Sequence, residues 1–176
     1  LLRKLGAEKD FDVEPLELLP RVDGVGEPVS STAIRRALAG GDVTRANEML
    51  GHVFEARGSV VTGDQRGRLL GFPTANVEVP NTISLPADGV YAGWYERPSG
   101  ESYPCAINLG RRPTYYEHAD SSLLEAHLLD FEDDLYGEQA RVKFTHFLRS
   151  ERKFDGIEAL KEQLDLDTAH ASQLLR

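Results

Sequence analysis

With 176 residues, 40% of them hydrophobic and 28% charged, the chain is long enough to bury one core and ordinary enough to fold as a soluble globular protein. Its net charge of −9 argues against a duplex nucleic-acid binder, which carries a basic face. The lone Cys105 excludes an internal disulfide framework and a cysteine metal cluster, and no apolar run approaches the roughly 20 residues of a membrane helix. No signal peptide is visible and the chain starts Leu1-Leu2-Arg3, so a cytoplasmic enzyme cut from a longer protein is expected.

Residues 1 to about 52 read as helices and loops. Ser30-Ser31-Thr32 offers N-cap hydroxyls, and Ile34, Ala37 and Leu38 fall on one helical face. Gly40-Gly41 stops that helix. Asp42 caps a second, Val43 to Leu50, which ends at Gly51.

From Phe54 the period changes. Short runs rich in β-branched and aromatic residues occupy 54–61, 75–79, 89–96, 103–109, 123–130 and 140–148, each closed by Gly, Pro, Asn or Asp. Six such strands with few helices between them predict an antiparallel barrel or sandwich. The end turns helical again. Asp155 and Glu158 form a capping pair, Ile157, Leu160 and Leu164 make a stripe, and a second short helix is expected over 167–175. There is no internal repeat.

The stretch from Gly58 to Asn76 carries the most chemistry. Gly58, Gly63, Gly67 and Gly71 are interspersed with Arg66 and Arg68. Glycine permits close backbone approach, and successive N–H groups can cradle an anion. The P-loop pattern fails, because Asp64 stands where its lysine belongs. A plain glycine-rich hairpin is the alternative reading. Thr74 and Asn76 share a face of an extended segment fixed by Pro73. Their oxygens suit Mg²⁺ that nucleotide phosphates also hold. Alternatively, Thr74 pairs with a neighbouring strand and Asn76 caps a turn.

The segment Gly63…Gly67…Leu70-Gly71-Phe72-Pro73-Thr74-Ala75-Asn76 resembles the signature of riboflavin kinases. The resemblance continues in order through Asp88-Gly89-Val90-Tyr91, Asn108-Leu109-Gly110-Arg111-Arg112-Pro113-Thr114, Glu125-Ala126-His127, Asp134-Leu135-Tyr136-Gly137 and Leu148-Arg149-Ser150-Glu151-Arg152-Lys153-Phe154. It covers about 54–176.

It implies a mainly β fold: a six-stranded antiparallel Greek-key barrel with C-terminal helices, binding ATP and riboflavin at one end and releasing ADP and FMN. Residues 53–176 would be the kinase domain. By the same resemblance Thr74 and Asn76 hold Mg²⁺ with the ATP, and the Gly58–Arg68 loop folds over the phosphates. Gly58, Gly63, Gly67, Arg68, Gly71, Pro73, Thr74 and Asn76 make the ATP site. Glu125 is the general base at the riboflavin 5′-hydroxyl, and Arg149 lies on the flavin side. A carboxylate with a reference pKa of about 4.3 is ionised at neutral pH and can accept that proton. The loops 63–71 and 110–120 are expected to close over substrate.

His127 follows Glu125 at i+2, as a substrate-positioning group or a packed barrel residue. His52, His118, His146 and His170 show no metal-ligand spacing. Tyr91, Trp94 and Tyr136 are flavin-stacking candidates or core.

Val29-Ser30-Ser31-Thr32-Ala33-Ile34-Arg35 resembles a motif near the end of the nucleotidyltransferase domain of bacterial FAD synthetases, where it meets ATP phosphates. That domain's His-x-Gly-His motif is absent. Residues 1–52 are thus expected to be a remnant and linker unable to make FAD. The alternative function is a flavin- or nucleotide-binding barrel without turnover, which would need neither a base nor a metal pair. Oligomeric state is not legible.

Overall fold

The computed structural model describes residues 1–17, 20, 28–111 and 122–176. The Pro113-Thr114 turn therefore lies outside the described residues, as does nearly all of the 110–120 loop. Five helices and six strands occur among the described residues: α1 (Leu2–Lys9), α2 (Ser31–Ala39), α3 (Val43–Leu50), β1 (Phe54–Val61), α4 (Arg66–Leu70), β2 (Ala75–Glu78), β3 (Gly89–Glu96), β4 (Ser102–Arg111), β5 (Ser122–Leu128), β6 (Gln139–Arg149) and α5 (Ile157–Leu174).

The strands form one closed antiparallel barrel in the order β1-β2-β5-β4-β3-β6. Closure comes from β1 pairing with β6, from Phe54 opposite Phe144 to Ser59 opposite Gln139. This settles barrel over sandwich and leaves no open sheet edge among the described residues. Within it, β6-β3-β4-β5 is a Greek key: three consecutive neighbours and a fourth strand returning beside the first.

Alternation along each strand sorts the side chains. Ala56, Val60, Ala75, Val77, Tyr91, Tyr95, Cys105, Ile107, Leu109, Leu124, Ala126, Leu128, Ala140, Val142 and Phe144 point inward and are buried. Tyr91 packs edge-on against Phe144 and Phe147, with ring centroids 5.3 and 5.2 Å apart. Each such pair adds about 0.5–1.5 kcal/mol beyond its burial. Tyr91 is thus core, as its spacing allowed.

Helices α2 and α3 belong to the same core. Ala33, Ala37, Leu38, Val43, Ala46 and Met49 are buried in one cluster with the barrel residues. The caps are those the sequence suggests: Ser30 Oγ accepts from the Ala33 N–H at 3.1 Å, Asp42 Oδ1 from the Arg45 N–H at 3.1 Å, and Gly51 ends α3 at φ 72°. Asn47 pins α3 to the barrel. Its Nδ2 donates to the Phe144 carbonyl at 2.9 Å, and its Oδ1 accepts from the Phe54 N–H at 2.6 Å.

The C-terminus departs from expectation. One helix, α5, runs unbroken from 157 to 174 in place of two, because no Gly or Pro interrupts it. Its N-cap is Gly156, without a side-chain cap bond, so Asp155 does not cap it. A five-residue helix, α4, also occupies part of the segment read as loop or hairpin.

Candidate active site on the outer face of β2, β5 and β4

Glu125 lies between the buried, inward Leu124 and Ala126, so its carboxylate stands on the outer face of the barrel. The register then assembles a row. Glu125 is opposite Asn76 on β2 and opposite Asn108 on β4. Asn108 Nδ2 donates to Glu125 Oε2 at 3.3 Å. Continuing around the barrel, Asn108 is opposite Val90, which is opposite Arg149. Extending the β2–β5 register by one residue sets Thr74 opposite His127. Thr74, Asn76, Glu125 and His127 thus form a two-by-two polar array on one face.

The glycine-rich segment is folded onto this array. Asn76 is only 7% exposed although it points outward, because Gly63 lies against its side chain. A Cβ on Gly63 would collide with the Asn76 amide. A Cβ on Gly67 would collide with the Phe72 carbonyl and reach within 3.5 Å of Thr74 Oγ1. These two glycines serve close approach to the expected metal pair. Gly71 terminates α4 at φ 91°, a left-handed conformation that favours glycine. Arg68 is exposed on α4 and Pro73 is exposed just after it.

Gly58 stands apart from the loop. It is inside β1, opposite Ala140, where a Cβ would strike the Glu78 backbone. The segment able to fold over a ligand begins only after Val61.

Arg149 closes the row on the β6 side. Its Nε donates to Asp167 Oδ1 and Oδ2 at 3.0 and 3.1 Å, its Nη2 to Oδ2 at 2.7 Å, and its Nη1 to the Ser150 carbonyl at 3.0 Å. Its guanidinium therefore faces α5. Beyond it, Glu151 lies against Gly110. Burial raises its carboxyl above the ordinary range; Asp88 and Glu125 push the same way and Arg149 opposes them.

Asn108 and Asp167 had no role assigned from sequence alone. The signal for Asn108 was its place as a lone amide between buried Ile107 and Leu109, the same pattern that marks Glu125. Asp167 gave no local signal. Trp94 is partly exposed on the outer face and Tyr136 is 50% exposed, and neither joins the array.

Among the described residues no group of three or more His, Cys, Asp or Glu side chains could hold a metal ion by itself. A hydroxyl and an amide oxygen beside each other fit Mg²⁺, which takes few protein ligands and keeps nucleotide phosphates and water for the rest. No described helix is long and apolar enough to cross a membrane.

A family model described as Flavokinase, riboflavin kinase, matches residues 50–175. The bifunctional riboflavin kinase/FMN adenylyltransferase of Bacillus subtilis (strain 168) is 43% identical over 144 residues, covering 81% of this chain and 45% of the relative. The Escherichia coli (strain K12) protein of the same name is 40% identical over 177 residues, covering 98% of this chain and 53% of the relative. A crystal structure from Streptococcus pneumoniae, named there a macrolide-efflux protein, superposes with a TM-score of 0.81 at 32% identity, over 97% of this chain and 54% of that one. The chain spans about half the length of these relatives. By the extent of these matches, the chain belongs to the riboflavin kinase family.

Proposed function

We propose that this chain transfers the γ-phosphoryl group of ATP to the 5′-hydroxyl of riboflavin, giving FMN and ADP. The observation that carries the reading is the array itself. A carboxylate that can take a proton stands directly opposite the Asn76 amide, which with the Thr74 hydroxyl two residues earlier can hold a phosphate-bound cation. A binder without turnover has no use for both.

Phosphoryl transfer asks mainly for in-line positioning and neutralisation of charge. Thr74 and Asn76 would hold Mg²⁺, which would supply neutralisation of the charge on the phosphates. The segment 62–71, with Gly63, Gly67, Arg68 and Gly71, covers the phosphates, and Pro73 sets the backbone that leads into Thr74. Glu125 accepts the proton of the 5′-hydroxyl as its oxygen bonds to the γ-phosphorus. The bond from that phosphorus to the β,γ-bridging oxygen breaks, and ADP leaves with the electron pair. Asn108 orients the Glu125 carboxylate through its amide. Arg149 serves the flavin side by holding α5, and closure of the 62–71 segment excludes water.

We assign 53–176 to the kinase domain and 1–52 to a linker region whose α2 and α3 dock on it. The relatives are about twice as long and bifunctional by name. The whole protein is accordingly proposed to adenylylate FMN as well, a step this chain alone does not perform. Chromatography of the purified chain with MgATP and riboflavin, then with MgATP and FMN, tests both statements. FMN in the first reaction and no FAD in the second are expected. Absence of FMN would overturn the kinase reading.

A further inference from the structure

His127 is the fourth corner of the polar array, and its ring is already engaged. Nδ1 lies 2.8 Å from the Pro73 carbonyl oxygen. A carbonyl only accepts, so Nδ1 carries the proton and donates. The ring also meets Phe72 edge-on, with centroids 5.4 Å apart. Both contacts reach the segment that connects α4 to β2, where backbone ties are few. The Gly71 N–H reaches the Arg68 carbonyl at 3.2 Å, and the Phe72 N–H the Gly67 carbonyl at 2.9 Å. Pro73 has no N–H to add another. The bond from His127 therefore fixes the plane of the peptide joining Pro73 to Thr74. That plane sets where the Thr74 hydroxyl emerges. Because His127 and Glu125 sit at i and i−2 on one strand face, the same bond sets Thr74 relative to the base, as the β2–β5 ladder sets Asn76.

We propose that His127 is a positioning residue for phosphoryl transfer, holding the Pro73–Thr74 peptide so that the nucleotide-metal pair keeps its distance from Glu125. This rests on the kinase reading, with Thr74 and Asn76 as the nucleotide side. The role is geometric. Any group that donates from the Nδ1 position will serve, and one that fills space without donating will not.

Three variants separate the possibilities. His127→Phe keeps the ring against Phe72 and removes the donor. His127→Asn places an amide N–H near the Nδ1 position, and His127→Gln carries its amide one carbon farther out. Calorimetric MgADP binding, KM for MgATP, KM for riboflavin and thermal midpoints would be measured for all four proteins. His127→Phe should weaken MgADP and raise the MgATP KM roughly fivefold to tenfold, the worth of one hydrogen bond. Its riboflavin KM and thermal midpoint should be unchanged. His127→Asn should recover to within about threefold of the parent and His127→Gln should not. MgADP binding by His127→Phe equal to the parent's would overturn the proposal. So would a loss shared by both substrates together with a lowered midpoint, which marks mere packing. A parent protein that forms no FMN would defeat the kinase reading, while the MgADP comparison would still decide the role of His127.

Discussion

Replacing Arg149 by Met strands a buried charge, and the cost can be worked from its contacts. Asp167 is only 5% exposed, and its carboxylate accepts from Arg149 Nε and Nη2 and from Gln163 Nε2 at 2.7 Å. Methionine keeps most of the stem volume of Arg149 but leaves the carboxylate with one neutral donor. Removing one partner of a buried ion pair costs about 3–5 kcal/mol. The pair lies at the end of β6, where Arg149 is 20% exposed, so partial rehydration favours the lower figure of about 3 kcal/mol. Against a total stability of about 5–15 kcal/mol that is a large share, and at this size it lowers the thermal midpoint by about 6–12 °C. Adding Asp167→Leu removes the stranded charge, and the double variant should return to within about 1 kcal/mol of the parent. Urea unfolding with the m-value checked for constancy is the assay, since a lower m would reveal α5 melting by itself. A loss below about 1 kcal/mol for Arg149→Met, or a double variant no more stable than the single, would refute the reasoning. The double variant also separates two roles. All three guanidinium nitrogens already have protein acceptors, so the riboflavin KM should recover with stability; a KM that stays high would mean that Arg149 touches the flavin directly.

Two further expectations follow from the site and the core. Thr74→Ala should raise the Mg²⁺ concentration for half-maximal activity severalfold, and an unchanged Mg²⁺ titration would remove Thr74 from the metal pair. At alkaline pH the fold should weaken for a stated reason. Burial pushes the Tyr91 and Tyr95 hydroxyls from 10.0 up to about 12, and pushes the Cys105 thiol up as well. These groups hold their protons longer when folded, so their contribution is complete below the unfolded pKa values and is lost as pH rises through the folded ones. Stability should begin to fall near pH 9 with the thiol and continue between 10 and 12 with the tyrosines. Melting curves of a Tyr91→Phe/Tyr95→Phe variant should lose the upper part of that decline, and an unaltered decline would count against it.

Local signals carried most of the fold. The strands were legible because β-branched and aromatic runs end at Gly, Pro, Asn or Asp. Helices α2 and α3 were legible because Ser30, Asp42 and Gly51 cap them. The mistakes came where local cues conflict with continuity. A second helix was expected from 167, yet nothing there breaks a helix, and Asp167 is instead the buried partner of Arg149. Helix α4 was hidden by Gly67, which disfavours helix and is retained for its approach to Phe72 and Thr74.

For the site, spacing two apart was enough to align Thr74 with Asn76 and Glu125 with His127. Which strand faces which was not local. The pairing of Asn76, Glu125 and Asn108 depends on a register between segments far apart in sequence, and so do the bonds from His127 to Pro73 and from Asn108 to Glu125. Those are tertiary facts that no single window of sequence contains.

The measurement that bears most directly on the account is single-turnover FMN formation by Glu125→Gln beside the parent protein, with riboflavin and MgADP binding measured on both. Gln keeps the shape of the side chain and its place between Asn76 and Asn108 but cannot take the hydroxyl proton. The account predicts binding within about threefold of the parent and a rate at least about 100-fold lower. A rate within about tenfold of the parent would contradict it and send the search for the base elsewhere on the barrel.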